Sequence, residues 1–326
     1  MLELNKIYNG DWIDLSKQLD NESINCIMTS PPYWALRDYK TEGQLGLEPT
    51  FDEYIKKLCD GFEILKDKLR KDGTCWVNIG DTYSTKPGSG FEGDLISKDN
   101  SGKGINKANE LRGKWVDKCL CMIPFRFAIE MVNRGWILRN TIIWHKANCM
   151  PSSVKDRFTV DFEYLFFFVK NKRYWFETQR EGDNYCICKP SVKMFGGDGL
   201  ASKQKAARMD RPPIETIGRN KRTVWQINPT PFAASHFAVY PEKLCETPIK
   251  AGCPKLGIVL DPFAGSGTTC KVARRLGRQY IGFELNKEYI KIAEMKIRGA
   301  ENWIYKQIDK KQANLIGIDK QGGISY

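Results

Sequence analysis

The sequence is poor in histidine: only His145 and His236 occur among its 326 residues. Structural zinc sites commonly combine cysteines with histidines at short spacing, and neither histidine stands near a cysteine pair. The two close pairs, Cys119/Cys121 and Cys186/Cys188, also have only one intervening residue each. The eleven cysteines are therefore better explained as buried, reduced thiols, and no metal site is predicted.

Long apolar runs are also absent. The longest, residues 164–169 (YLFFFV), is far shorter than the roughly 18–20 residues that span a bilayer, and it predicts a buried strand. The first residues, MLELNKIYNG, do not have the apolar centre of a signal peptide. We therefore expect a soluble, cytoplasmic protein without a membrane partner.

Positive charge is in excess, with 51 Lys and Arg against 39 Asp and Glu and a net charge of +12. A basic surface suits a polyanionic partner such as nucleic acid. The charge is concentrated between residues 189 and 222, where nine basic residues stand against three acidic ones. Residues 84–118 are similarly rich in Gly, Ser and Lys. Both segments are predicted to be loops.

Elsewhere, short apolar runs alternate with segments of helical periodicity, which predicts an α/β fold with a largely parallel sheet. The predicted strands are residues 24–28, 74–79, 137–144, 164–169, 257–260 and 280–283. The predicted helices are residues 12–19, 51–69, 124–133, 241–251, 270–276 and 287–298.

One apolar strand runs into the sequence DPFAGSGTT at residues 261–269, and Glu284 ends the next strand. Glycines there permit a tight turn at the carboxyl edge of a sheet, where helix N-termini offer N–H groups. An acid about 20 residues on can bind the two hydroxyls of a ribose. A nicotinamide site would require a third glycine, which is absent. The Asp-Pro-Phe before the glycines suits a cofactor with a cationic sulfonium and an amino-acid end, as in S-adenosylmethionine.

Another strand runs into Ser-Pro-Pro-Tyr at residues 30–33. An exocyclic amine on a nucleobase is a poor nucleophile because its lone pair is delocalised into the ring. Hydrogen-bond acceptors aimed at its N–H groups oppose that delocalisation, and the Ser30 hydroxyl and the rigid carbonyl between Pro31 and Pro32 are suited to this role. Tyr33 offers a face on which an extruded base can stack. No strong base is required, which agrees with the scarcity of histidine.

Together these motifs resemble those of the DNA amino-methyltransferases, in the order in which SPPY precedes F-x-G-x-G. The resemblance covers nearly the whole chain. It also includes NGD at 9–11, NIGDT at 78–82, WHK at 144–146, KRTVW at 221–225 and HFAVYP at 236–241. It implies a Rossmann-like, doubly wound, mostly parallel sheet of the S-adenosylmethionine-dependent methyltransferase type, circularly permuted and carrying an inserted target-recognition region.

The resemblance assigns roles to individual residues. Ser30, Pro31, Pro32 and Tyr33 would form the catalytic loop. The cofactor would be S-adenosylmethionine, held by Asp11, His236, Phe237, Asp261, Phe263, Gly265, Gly267, Thr268 and Glu284. Serine at the first position of the loop is typical of cytosine-N4 enzymes, whereas aspartate is typical of many adenine-N6 enzymes. The expected product is therefore N4-methylcytosine, with N6-methyladenine as the alternative.

The resemblance also divides the chain. Residues 1–170 and 223–310 would form the catalytic domain, with a mobile loop at 84–118. Residues 171–222 would form the target-recognition region, and 311–326 a C-terminal tail. The partner would be double-stranded DNA, and basic residues of the inserted region would contact its phosphates: Lys189, Lys193, Lys203, Lys205, Arg208 and Arg211.

Some alternatives stay open at this point. RNA or protein-amide methyltransferases use related proline–tyrosine loops, but the large basic insert and the motif order favour DNA. A catalytically silent DNA-binding protein could have kept the fold, although both motifs are intact here. A monomer or a homodimer fits, as does a cognate restriction endonuclease or a lone host or phage enzyme.

Overall fold

A computed structural model describes residues 2–36, 41–84, 116–185, 217–229 and 240–299 of the chain. Their main feature is an eight-stranded sheet. Its strands are β1 (Lys6–Asn9), β2 (Ile24–Thr29), β3 (Leu69–Ile79), β4 (Ile137–His145), β5 (Phe162–Val169), β8 (Val224–Gln226), β9 (Ile258–Asp261) and β10 (Gln279–Glu284). Their order across the sheet is β1-β10-β9-β2-β3-β5-β4-β8.

Most neighbouring strands of this sheet run parallel. Only β5 is antiparallel to its neighbours, β3 and β4. The other five pairings are parallel. Consequently the carboxyl ends of all the parallel strands meet at one edge of the sheet, together with the amino end of β5. The α/β class with a mostly parallel sheet is confirmed.

Helices cover both faces of the sheet. They are α1 (Trp12–Lys17), α2 (Phe51–Lys68), α3 (Ile123–Asn133), α4 (Glu242–Gly252), α5 (Thr268–Arg275) and α6 (287–299). The first three pack on one face and the last three on the other. Successive side chains of β5 alternate between these faces, because the side-chain period of a strand is two: Phe166 and Phe168 join the first core, and Phe167 joins the second.

The first face is held by close approach of α1 and α2. Thr50 begins α2 as its N-cap and accepts a hydrogen bond from the Glu53 amide at 3.1 Å. On this helix Gly61 lies under the indole of Trp12, and a Cβ at that position would stand 1.9 Å from the ring. Only glycine therefore allows Trp12 to reach its buried position at the end of the sheet.

Within the eight-stranded sheet, the strand predictions differ from the structure in three main places. β1 and β8 were not predicted, since each is only three or four residues long and buries a single side chain. β3 begins at Leu69 and passes through Gly73, so this glycine does not separate the helix from the strand. The packed side chain of Leu69 lies where a Cβ of Gly73 would be, at 2.7 Å, which explains the glycine within the strand.

Residues Thr178–Arg222 form a second compact unit. Its described parts are a two-stranded antiparallel ribbon, β6 (Arg180–Tyr185) and β7 (Ile217–Asn220). Within it the Glu181 carboxylate accepts hydrogen bonds from Arg222 at 2.7 Å and Arg219 at 3.2 Å, and these bonds lower its pKa. The inserted region, the mobile loop and the permuted order stay predictions, and most of residues 84–118 and all of 311–326 lie outside the described residues.

Two further observations concern the described residues alone. None of their helices has the length and apolarity needed to cross a membrane. Their nine cysteines are free thiols, most of them buried, and no group of three His, Cys, Asp or Glu side chains there is arranged to hold a metal ion. The Cys186/Cys188 pair lies outside them.

Candidate active site

The carboxyl ends of β9 and β2 lie side by side, and the chain leaves them toward opposite halves of the sheet. β9 leads to β10 on one side, whereas β2 leads to β3 on the other. In open α/β sheets such a switch point leaves a crevice in which ligands bind. The glycine loop (residues 261–269) follows β9, and the proline loop (residues 30–33) follows β2. Both predicted motifs therefore border one crevice.

Asp261, at the end of β9, joins the two loops. Its Oδ1 accepts hydrogen bonds from the Thr29 hydroxyl at 2.6 Å and from the Phe263 amide at 3.1 Å. Its Oδ2 accepts one from the Tyr240 hydroxyl at 3.0 Å. The side chain is fully buried, and this burial raises the pKa of the carboxyl group. A single carboxylate thus fixes the ends of β9 and β2 relative to each other.

Tyr240 extends this network to the other side of the loop. Its hydroxyl also lies within hydrogen-bond distance of the Thr269 hydroxyl, whose oxygen is 3.2 Å from the Met28 carbonyl oxygen. Tyr240 ends the HFAVY segment predicted to pack over the cofactor. His236 and Phe237, the two cofactor contacts predicted there, lie outside the described residues.

Glycine is required in the glycine loop for two different reasons. Gly265 and Gly267 have φ angles of +51° and +78°, in the left-handed region that other residues avoid. At Gly267 a Cβ would also stand 2.6 Å from the Cβ of Ala293 on α6. At Gly265 it would meet, among the described residues, a single atom within 4 Å, the Phe263 carbonyl oxygen at 4.0 Å. Within the part of the chain that the structure describes, the loop is therefore packed tightly on the α6 side and open at Gly265. α5 begins at Thr268, directly after Gly267.

Glu284, at the end of β10, faces the same loop. Its carboxylate accepts hydrogen bonds from the amides of Gly265 and Asn286, both at 2.8 Å. Burial raises the pKa of this group, although these amides lower it in part. An ionised carboxylate has about four lone-pair sites, so two amides leave acceptor capacity for ribose hydroxyls. The geometry suits the predicted role of Glu284.

The NGD segment places Asp11 two residues after β1, at the same edge of the sheet as Glu284. Asn9 donates from Nδ2 to the Glu284 carbonyl at 3.0 Å, and the Gly10 amide donates to the same carbonyl at 3.1 Å. Asp11 then caps α1, since its Oδ1 accepts from the Ile13 amide at 2.9 Å. One oxygen of this side chain thus serves the helix, while its position at the crevice agrees with a residue close to the cofactor.

The walls of this part of the crevice fit a nucleoside bearing an amino-acid chain. An open glycine position, an acid with spare acceptor sites and the N-terminus of α5 stand together. Phe263 adds an apolar surface, and its ring lies 4.7 Å from that of Trp12, centroid to centroid. These groups suit S-adenosylmethionine, whose bound methyl sulfonium would supply the methyl group.

The backbone of the proline loop is held from several sides. The Tyr54 hydroxyl of α2 donates to the Pro32 carbonyl at 2.9 Å. Gly46 has a φ of +99°, and a Cβ there would stand 2.9 Å from the Tyr33 carbonyl oxygen. Trp34 is buried and donates from its indole nitrogen to the Glu48 carbonyl at 3.0 Å. The loop is consequently a rigid element that presents Ser30 and Tyr33 to the crevice.

The Tyr33 side chain is fixed at both its ring and its hydroxyl. A Cβ at Gly80 would stand 2.7 Å from its Cε2, so glycine makes room for the ring. The hydroxyl accepts from Ser30 at 3.4 Å, lies 3.2 Å from Asn78 Oδ1, and donates to Glu163 Oε2 at 2.6 Å. Burial and the Glu163 carboxylate raise the pKa of Tyr33, which keeps its phenol protonated.

Comparison with known protein families shows the family to which the chain belongs. The family model described as DNA methylase matches residues 24–295, which include both loops and Glu284. The chain belongs to the DNA methylase family. The family membership predicted from the motifs is thereby confirmed.

Relatives with similar sequences are Type II methyltransferases. The chain is 38% identical to the Type II methyltransferase M.SmaI of Serratia marcescens over 296 residues, covering 90% of each chain. It is 37% identical to M.Cfr9I of Citrobacter freundii over 302 residues, covering 92% of this chain and 90% of that protein.

Solved structures share the fold of this DNA methylase at lower identity. The PvuII DNA methyltransferase, described as cytosine-N4-specific, has a TM-score of 0.59 and 23% identity, over 89% of this chain and 85% of its own. A putative DNA modification methylase from Thermus thermophilus, complexed with S-adenosyl-L-methionine, has a TM-score of 0.55 and 21% identity, over 90% of this chain and 95% of its own.

The structure brings most of the predicted site residues of this DNA methylase to one crevice. Those placed there are Asp11, Ser30, Pro31, Pro32, Tyr33, Asp261, Phe263, Gly265, Gly267, Thr268 and Glu284. All six basic residues predicted to contact DNA lie outside the described residues: Lys189, Lys193, Lys203, Lys205, Arg208 and Arg211. The roles of all these residues remain predictions.

One group in the crevice was not singled out from the sequence. Glu163, near the start of β5, accepts from Tyr33 and from Asn78 Nδ2, the latter at 3.1 Å, and pairs with Lys146. The signal was present, because an acid in an otherwise apolar strand is unusual. Its position in the crevice follows from the antiparallel direction of β5, which the motif pattern does not specify.

Proposed function

We propose that this DNA methylase transfers a methyl group from S-adenosylmethionine to the N4 amino group of cytosine in double-stranded DNA. The observation that carries the choice of base is serine at the first position of the proline loop, at the carboxyl end of β2. Serine there is typical of N4 enzymes in the family. The solved structure described as cytosine-N4-specific adds support.

Ser30 and the proline carbonyl act on the target amine. The Ser30 hydroxyl donates its own hydrogen to Tyr33, so its oxygen can accept one N–H of the base. The rigid Pro31 carbonyl accepts the other N–H. Together they hold the nitrogen lone pair out of the ring and toward the methyl group, which is catalysis by orientation. The base reaches them only when it is extruded from the duplex, and it then stacks on Tyr33.

The other half of the crevice holds the cofactor. Glu284 binds the ribose hydroxyls, and Phe263, Gly265, Gly267 and Thr268 surround the methionine part, with Asp261 close by. Asp11 stands near the adenine ring. His236 and Phe237 pack over the methionine end.

DNA is bound by the inserted region, residues 171–222, whose basic side chains neutralise phosphates. Because the similar relatives are Type II methyltransferases, the protein is proposed to protect DNA from a cognate restriction endonuclease. Since its substrate is DNA, we place the protein in the cytoplasm. It acts there as a monomer or a homodimer.

Mass spectrometry of nucleosides tests the proposal. Unmethylated double-stranded DNA of high sequence complexity is incubated with the protein and S-adenosylmethionine, then digested. We expect N4-methylcytosine, and none in a matched reaction inhibited with S-adenosylhomocysteine. Appearance of N6-methyladenine would overturn the choice of base while keeping the reaction. Absence of both products would favour a catalytically silent DNA-binding protein.

A further inference from the structure

Three side chains form a continuous line of hydrogen bonds leading away from the target position. The Ser30 hydroxyl donates to Tyr33 Oη at 3.4 Å, and Tyr33 donates to Glu163 Oε2 at 2.6 Å. The second bond is short because its acceptor is a carboxylate. Both donors point the same way, so the line begins at the hydroxyl proposed to touch the amine and ends on an anion.

The Glu163 carboxylate is itself held in place. Lys146, which follows β4, hydrogen-bonds Oε1, and Asn78 on β3 donates to Oε2 at 3.1 Å. The Lys146 ammonium also lies over the Trp144 ring, 4.5 Å from its centroid. The Glu163 and Lys146 side chains are only 17% and 21% exposed. Three neighbouring strands thus fix one carboxylate behind the proline loop.

We infer that Glu163 acts on the reaction through Tyr33, as a positioning residue whose carboxylate also receives the proton released by the target amine. The amine nitrogen forms a bond to the methyl carbon, and the carbon–sulfur bond breaks with its electron pair left on sulfur. The nitrogen then loses one proton to Ser30 Oγ. Ser30 passes its own proton to Tyr33 Oη, and Tyr33 passes its proton to Glu163 Oε2. One proton has moved from nitrogen to carboxylate, and both hydroxyls are restored.

The surroundings of the line agree with this direction of transfer. The raised pKa of Tyr33 keeps its hydroxyl protonated, so it conducts a proton without storing a charge. Asn78 uses Nδ2 for Glu163 and for the Tyr164 carbonyl, which directs its oxygen toward Tyr33. The inference rests on methylation of an exocyclic amine and holds for cytosine and adenine alike.

A double-mutant cycle tests the inference. The probe is transfer of tritiated methyl from S-adenosylmethionine to unmethylated double-stranded DNA, measured in a single turnover. We expect Glu163→Gln to lower the rate by about 100-fold, within the usual range for proton-transfer groups, while the Kd for S-adenosylhomocysteine changes by less than about twofold. Adding Glu163→Gln to Tyr33→Phe should cost less than about threefold more, because both changes interrupt one line.

The variant pair Glu163→Gln with Lys146→Met separates proton transfer from anchoring. A glutamine oxygen still accepts from Tyr33, and removal of the lysine avoids an unpaired ammonium. We expect the double variant to bind S-adenosylhomocysteine and to methylate DNA slowly. It serves the test even when Glu163→Gln alone is unstable. A rate within about threefold of wild type would overturn the inference, as would losses that multiply in the cycle. Since all methyl incorporation is counted, a wrong choice of base would not affect the result.

Discussion

The two halves of the crevice are built from different kinds of contact. Around the glycine loop, backbone amides and neutral hydroxyls surround the Asp261 and Glu284 carboxylates. Around the proline loop, side chains from neighbouring strands converge on Tyr33 and Glu163, which pairs with Lys146. The Asp261 contacts join the ends of two strands and so belong to the fold itself, whereas the contacts of Tyr33 and Glu163 lie behind the proline loop and can change without altering the fold. We therefore expect substitutions in the first half to affect stability and cofactor binding, and those in the second to affect rate.

Asp261→Ala should have the largest effect on stability. The substitution leaves the Thr29 and Tyr240 hydroxyls and the Phe263 amide without their buried acceptor, and it opens a cavity. We expect a loss of about 3–5 kcal/mol in the free energy of unfolding, measured with urea. Asp52→Ala, at an exposed position in the first turn of α2, is the control and should cost less than about 1 kcal/mol. Equal losses would mean that Asp261 does not hold the loops.

Ser30→Ala should show the opposite pattern. Removing one acceptor for the amine is expected to lower kcat by about 10²–10³-fold, as for other single groups that act in the transition state. The Tm and the affinity for S-adenosylhomocysteine should stay close to those of wild type. A decrease in Tm comparable to that of Asp261→Ala would show that the two halves do not differ as described.

Substitutions at two glycines, Gly267 in the glycine loop and Gly277 after α5, distinguish the cost of backbone strain from the cost of packing. Gly267 and Gly277 have φ angles of +78° and +73°. Among the described residues, a Cβ at Gly267 would collide with Ala293, whereas a Cβ at Gly277 would meet no atom within 4 Å. Gly277→Ala should therefore cost about 1 kcal/mol for its backbone alone. Gly267→Ala should cost about 1–3 kcal/mol more and weaken cofactor binding, because α6 must move. Equal unfolding free energies for the two variants would mean that α6 can shift without a loss of stability.

Lys296 should have the smallest effect on stability, and this effect depends on pH. Its ammonium donates to the Ser266 hydroxyl at 2.7 Å, and burial lowers its pKa to about 8. Above that pH the folded chain has lost a proton that the unfolded chain still binds. The free energy of unfolding should therefore rise with pH until the pH reaches 10.5, the ordinary pKa of lysine. Because the group is partly exposed, we expect less than about 1 kcal/mol. Lys296→Met should flatten this rise, and an unchanged slope would contradict the assignment.

The predictability of the two halves from sequence follows the same division. The strand before Asp261, the glycine turn and Glu284 lie within 27 residues of one another, and local patterns specify each of them. The roles of the glycines could be anticipated, but the collision at Gly267 could not, because it depends on how α6 packs. Short strands such as β1 form only because a neighbouring strand offers an edge.

Contacts between residues far apart in the sequence are harder to predict. Glu163 is separated from Tyr33 by 130 positions, and the two meet because β5 runs antiparallel beside β3. The sequence pattern predicted both strands without their relative direction. Asn78 and Lys146 were recognised as parts of motifs, yet their shared partner becomes evident only from the sheet order.

The burial of Asp261 has a consequence for calorimetry. Among the described residues its partners are neutral hydroxyls and an amide, and burial raises its pKa more than these hydrogen bonds lower it. A ligand that carries sulfonium and ammonium groups favours the ionised carboxylate. At a pH near the raised pKa, cofactor binding is then coupled to proton release, and the apparent binding enthalpy varies with the ionisation enthalpy of the buffer. The same coupling makes affinity increase with pH until the free carboxyl group is itself ionised.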